Sequence, residues 1–227
     1  MTALELANCE QGSELWAQAR CGIVTASRCG DVIATIKKGE AATRRDYRGE
    51  LICEILTGNP YPHYVSREMQ WGIEQEPFAR AAYEMQRDLL VETCGFVLNP
   101  DVDRFGASPD FLVGKDGMGQ IKCPTTRTHL SWMLGGVIPV EHCPQMLGEM
   151  ACTGRAWCDF VSFDPRLPSH LQLFVRRFER SDSLIAQLET EVVHFNREIN
   201  EVLAALPQKP QGIVIAMDHI DPDELVF

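Results

Sequence analysis

No stretch of the 227 residues is apolar for long enough to span a bilayer, which takes about 20 consecutive residues. The opening MTALELANCE has neither the basic flank nor the apolar core of a secretory signal, so the chain is expected in the cytoplasm. Nine cysteines include no C-x-x-C pair and no four at iron–sulfur ligand spacing. Their scatter through apolar segments reads as reduced core thiols. The six histidines show no metal-ligand spacing. Positive charge is scarce: 21 Lys and Arg stand against 32 Asp and Glu, a net charge of −11. That argues against coating nucleic acid over the whole surface, although a local basic groove would be enough to admit it. Internal repeats and low-complexity tracts are also lacking.

What is present suits a globular protein, with 45% hydrophobic and 23% charged residues. The length fits one domain over 1–227, with a tail from 207 to 227 that is Pro-rich, then apolar, then acidic and would reach a neighbouring subunit. Ser13 caps a short helix to Arg20, with Trp16 in the core. Thr25 or Ser27 caps a helix towards Ile36, and Thr43 caps one that Gly58 stops. Ser66 caps a long amphipathic helix to about Asp88, where Pro77 demands a kink or a fresh start; Trp71 on it is expected in the core. Leu89 to Leu98 reads as a strand. Later come helices from Thr125 to Leu134 and Cys143 to Cys152, and strands from Trp157 to Phe163 and Leu171 to Phe178. A last helix, capped by Ser181, runs to about Leu206. The fold class is α/β, or α+β, with a mixed central sheet flanked by helices.

At the centre lies Phe105 to Pro124, FGASPDFLVGKDGMGQIKCP. Phe111, Leu112 and Val113 make a strand, Gly114 to Gly119 a turn, and Ile121 opens a second strand that Pro124 ends. Alternation puts Gln120 and Lys122 on one face and Ile121 on the other. Asp110 offers a hard oxygen ligand for a divalent cation, and Lys122 a positive charge for a phosphate or a nucleophilic water. Basic groups cluster at Lys37, Lys38, Arg44, Arg45 and Arg48, and again at Arg176, Arg177 and Arg180; each cluster reads locally as a solvated face. Arg20 beside Thr25 and Ser27 is locally a surface Arg with two caps, or else a phosphate pocket. Glu76 has a local partner in Arg80 at i+4. Met69 reads as core, or as a wedge for a duplex end.

Pro109-Asp110, nine residues, then Gln120-Ile121-Lys122 resembles the PD-(D/E)-x-K signature of metal-dependent nucleases. Arg20 to Ser27 (RCGIVTAS), Trp71 to Glu76 (WGIEQE) and Gln145 after Pro144 follow in the order found in the bacteriophage lambda exonuclease family, and the resemblance covers roughly Glu10 to Arg180. It implies a restriction-endonuclease-like fold. It also implies two Mg²⁺ ions per site, or Mn²⁺ in their place, held by Asp110, position 120 and the Ile121 carbonyl. Lys122, Glu76 and Gln145 would join the catalytic group. Arg20, Thr25, Ser27 and Ser108 would bind the 5′-phosphate, with Lys37, Lys38 and Met69 along the DNA. The resemblance further implies 5′→3′ digestion of one strand of linear duplex DNA, a ring-shaped homotrimer, and a phage single-strand annealing protein as partner in a bacterial host's cytosol.

Gln120 departs from the family, which has Glu there. An amide is nearly isosteric but neutral, so ion affinity and rate should fall. Either the natural protein carries Gln as a weakened relative, or a deliberate Glu-to-Gln change lets DNA be bound uncut; we favour the second, because the other motif residues are intact. The competing readings are a non-catalytic DNA-end-binding scaffold and a structure-selective endonuclease on the same fold.

Overall fold

The computed structural model describes residues 4–6, 9–62 and 64–207. The expected subunit-reaching tail lies, beyond Pro207, outside them. The chain runs β1 (Leu4–Leu6), α1 (Glu14–Arg20), β2 (Val24–Thr25), a 3-10 turn Ala26–Arg28, α2 (Cys29–Val32), α3 (Ala42–Thr57), α4 (Arg67–Arg87), β3 (Phe96–Leu98) and β4 (Phe105–Ala107). It continues through β5 (Phe111–Val113), β6 (Gly117–Lys122), α5 (Thr126–Gly135), α6 (Cys143–Thr153), β7 (Trp157–Phe163), β8 (Leu173–Glu179) and α7 (Asp182–Ala205).

The fold is mixed α/β, but the single sheet expected is two. One has the order β1-β3-β4-β2, with β2 parallel to β4; the other has the order β5-β6-β7-β8, with β6 parallel to β7 and its remaining pairs antiparallel. The chain changes sheets at Ser108–Asp110. Pro109 has no N–H with which to prolong the first ladder, and the Asp110 N–H donates to the Gly119 carbonyl at 3.2 Å, beginning the second.

Strand β6 is covered on both sides, so its alternation separates two cores. Met118 belongs to the larger one, with Val24, Phe105, Met146, Met150, Phe160 and Phe195. Ile121 belongs to a smaller one under α4, with Ala79, Tyr83, Phe111, Val161 and Phe163. Gln120, only 3% exposed, therefore lies on the α6 side with Lys122.

Several local readings shift. The helix expected to reach Ile36 stops at Val32, where Val32, Ile33, Thr35 and Ile36 are β-branched residues that lose rotamer freedom in a helix. Helix α3 begins at Ala42 rather than after Thr43, with no side-chain cap, and Gly58 closes it at φ +67°. Helix α4 runs unbroken through Pro77. Of Leu89 to Leu98 only Phe96–Leu98 is a strand, apart from one bridge between Glu92 and Leu112. Strand β6 starts at Gly117 rather than Ile121, because the reversal needs only Gly114, at φ +52°, through Asp116. Trp16 and Trp71 are half-buried rather than core, one under the Arg20 guanidinium and the other under that of Arg166. Met69 is 54% exposed.

Gly119 is required where it is: a Cβ there would run into the Phe111 ring. Phe111 is fully buried and packs at a tilt against Tyr83, with ring centroids 4.7 Å apart, so it has no room to yield. We expect Gly119→Ala to cost about 1–3 kcal/mol, the usual range for overpacking a filled core. Denaturant unfolding measures this, and a change below about 0.5 kcal/mol would mean that the ring has space to move.

Candidate active site

Asp110 stands just past the change of sheets, and its carboxylate is tied to β6. Its Oδ2 accepts the Ile121 N–H at 2.5 Å and a Gln120 side-chain N–H at 2.6 Å. Two residues further along the same face, Lys122 donates its Nζ to Gln145 Oε1 at 3.0 Å. Gln145 lies in the first turn of α6, and its Nε2 donates to Gln120 Oε1 at 2.7 Å and to Glu149 Oε1 at 2.8 Å. Asp110, Gln120, Lys122 and Gln145 thus form one connected group, and the chain of bonds ends on an acid that the sequence motifs do not include.

That acid, Glu149, follows Gln145 by one helical turn. It is 1% exposed, and its Oε2 has no hydrogen-bond partner among the described residues. Helix α6 reaches this depth because Met146 and Met150 fill the main core and because residue 148 is glycine. A Cβ on Gly148 would sit 3.0 Å from Ala26 Cβ and Cys29 Sγ. The signal in the sequence was the i, i+4 spacing of Glu149 from Gln145, in a helix otherwise apolar on that side.

Glu76 approaches from the opposite side, on α4. Its Oε1 accepts Arg80 Nη2 at 2.8 Å, so the local pairing is real. Its charge is nevertheless felt at Asp110. Burial first, and then Glu76, push the Asp110 carboxyl up to about 7, against the pull of Lys122. Burial, followed by the charge of Asp110, raises Glu149 well above the carboxylate range. The Cys123 thiol is pushed up to about 12, by burial and then by Glu76. His142, which the sequence left without a role, is held down to about 4 by burial and by Lys122, and stacks on Phe160 with centroids 5.4 Å apart.

The charges of Glu76, Lys122 and Arg80 thus all bear on Asp110, and those of Asp110 and Lys122 on Glu149. The donor set is all oxygen, from carboxylates, the Gln120 amide and the Ile121 carbonyl, which suits a hard divalent cation. Among the described residues no three His, Cys, Asp or Glu side chains converge on one point. The amide and carbonyl oxygens would have to complete a shell around Asp110. The unpartnered Glu149 oxygen and the partly buried Asp110 are the features such an ion would satisfy.

A second group lies on α1 and β2. The Arg20 guanidinium stacks 3.8 Å from the centroid of Trp16, and no described residue accepts a hydrogen bond from it. Trp16 Nε1 donates to Ser108 Oγ at 2.8 Å, and the hydroxyls of Thr25 and Ser27 are 3.2 Å apart. Parallel pairing of Thr25 with Gly106 sets the Thr25–Ser27 turn beside the end of β4, which leads into Ser108. Lys37 and Lys38 are exposed on the loop before α3. Arg44 and Arg48 are neutralised by Glu40 and Glu198, and Arg45 pairs with Asp46, so only the two lysines of that cluster present charge that no described residue offsets.

Mixed sheets, an Asp at the change of sheets and a Lys on the paired strand make up a PD-(D/E)xK-like exonuclease fold. Residues 15–156 match the YqaJ-like viral recombinase domain, and the chain belongs to that family, the lambda exonuclease family. An alkaline exonuclease from Laribacter hongkongensis, LHK-Exo, is 46% identical over 85% of this chain and 95% of its own, with a TM-score of 0.79. LHK-Exo in complex with dAMP matches with the same values. A phage-related exonuclease from Haemophilus somnus 129PT shares the fold at 16% identity, covering 80% of this chain and 95% of that one, with a TM-score of 0.60. No curated protein matches significantly. No helix among the described residues is long and apolar enough to cross a membrane.

The raised carboxyl of Asp110 has a sign that can be read in stability. Its folded pKa of about 7 lies above the ordinary 3.8, so its contribution is fully present below about pH 4 and is lost as pH rises towards 7. In EDTA we expect the thermal midpoint to fall over that window. Asp110→Asn should flatten the fall and be the more stable protein at pH 8. Thermal denaturation across pH tests this, and a steeper fall in the Asn variant would refute it.

Proposed function

We propose that this protein is a divalent-metal-dependent 5′→3′ exonuclease, which digests one strand of linear duplex DNA from 5′-phosphorylated ends and leaves 3′ overhangs. The observation that carries the reading is the convergence of Asp110, the Ile121 carbonyl strand and Lys122 on one side of β6, closed over by Gln145. Family membership supports a DNA nuclease, and the alkaline exonuclease at 46% identity supports exonuclease action.

Two Mg²⁺ ions per site, replaceable by Mn²⁺, would supply an activated water and offset charge on the leaving 3′-oxygen. Asp110, Gln120 and the Ile121 carbonyl would hold them. Lys122 places its ammonium where charge develops on the scissile phosphate, and Gln145 fixes the direction of that ammonium. Glu76 adds negative charge on the α4 side. Arg20, its guanidinium stacked over Trp16 and bonded to no described acceptor, receives the 5′-phosphate beside Thr25, Ser27 and Ser108. The exposed Lys37 and Lys38 follow the backbone, and the exposed Met69 meets the duplex end. A ring-shaped homotrimer, an annealing protein as partner and a bacterial cytosol complete the reading. The neutral amide at 120 leaves this chain slower than one with Glu there.

Lys122→Ala should lower the rate at least 100-fold, a loss typical of removing one such charge. Arg20→Ala should erase the preference for 5′-phosphorylated ends while leaving slow digestion. Both are read by gel on linear duplexes with and without the phosphate. Gln120 itself favours a second reading, DNA-end binding without cleavage. Gln120→Glu separates the two: the enzyme reading expects faster Mg²⁺-dependent digestion of linear DNA, with closed circles left intact. Cutting of closed circles would indicate an endonuclease, and no digestion at all a scaffold.

A further inference from the structure

Beyond the motif residues, the structure points to a replacement for the missing acid. We propose that Glu149 supplies the second carboxylate of the ion site, in place of the one that position 120 lacks. The inference rests on the nuclease reading above.

Glu149 is 1% exposed, and one of its oxygens has no partner among the described residues. A buried carboxyl left half-satisfied is costly, and such groups persist where something else completes them. Among the described residues, its one hydrogen bond to a side chain comes from the neutral amide of Gln145. No basic group bonds it among the described residues, so no ion pair explains its depth.

Its position is specific. Gln120 Oε1 and Glu149 Oε1 accept from the same nitrogen, at 2.7 and 2.8 Å, and are therefore near neighbours. A carboxylate at 120 and a carboxylate at 149 would present oxygen to the same small volume. Gln120 is in turn bonded to Asp110. The negative charge that a Glu would carry on the strand is carried two hydrogen bonds further away, through Gln145, on the facing helix.

A purely positioning role for Glu149 makes a different prediction. If it only orients Gln145, a glutamine at 149 presents a carbonyl oxygen to the same N–H, and the ion is bound as before.

The test compares the starting protein with Glu149→Gln, Gln120→Glu and the double exchange Gln120→Glu/Glu149→Gln, all full-length. Calorimetry with Mg²⁺ and with Mn²⁺, in the absence of DNA, measures affinity; digestion of a 5′-phosphorylated linear duplex measures rate. We expect Glu149→Gln to weaken ion binding at least tenfold, and the double exchange, which keeps the charge count, to restore it. Unchanged affinity in Glu149→Gln overturns the proposal. So does ion binding that appears only when Glu is placed at 120. If Glu149→Gln does not fold, the double exchange decides alone, and failure to match the starting affinity counts against the idea. Absence of both ion binding and digestion in the starting protein and in Gln120→Glu would instead remove the nuclease reading itself.

Discussion

The amide of Ile121 holds the Asp110 carboxylate, and much of this protein depends on that bond. Asp110 belongs to the segment that leaves one sheet, and Ile121 to the second strand of the other. Their contact joins the two sheets at the place where chemistry is proposed. It also requires one register for β6. Strand β7 pairs along the whole of β6, from Gly117 opposite Trp157 to Lys122 opposite Ser162. A slip of one residue would turn Gln120 and Lys122 towards α4 and bury Ile121 against α6. The apolar demands of the two cores therefore guard the polar side of the strand.

Helix α6 is the other wall. Its apolar stripe anchors it in the main core, its glycine lets it touch the turn after Thr25, and its polar stripe brings Gln145 and Glu149 to β6. The same helix thus links the Thr25–Ser27 turn to the Asp110 group by rigid packing. In the proposed reading, the turn that receives a DNA end and the group that cuts beside it need such a fixed spacing, since small misplacements are costly in rate.

Charge is spent locally. The chain is acidic, and most of its arginines are committed: Arg44 and Arg48 to Glu40 and Glu198, Arg177 to Asp159, Arg180 to Asp182. The guanidinium of Arg20 stands apart, stacked on an indole and bonded to no described acceptor. An acidic protein with only a few uncommitted cations suits a polyanion that is to be admitted locally rather than over the whole surface.

Local chemistry was legible in the sequence. The caps Ser13, Ser66 and Ser181 each accept a backbone N–H three residues on, and Gly58 ends its helix with positive φ, because these preferences belong to single residues and their neighbours. The two faces of β6 were legible too, since alternation needs no partner to be known. Thr43 as a cap, the helix to Ile36 and the long strand before Leu98 were misread, because in each case packing set the boundary. What only the tertiary structure decided is where the acids meet. Glu149 is one more residue in an apolar helix until α6 is laid against β6, and Glu76 is a partner of Arg80 until α4 is laid against the other face. The sequence determined which side chains were available and which way each element would turn them; the packing of α4 and α6 on the two faces of β6 decided which of them would come within reach of Asp110.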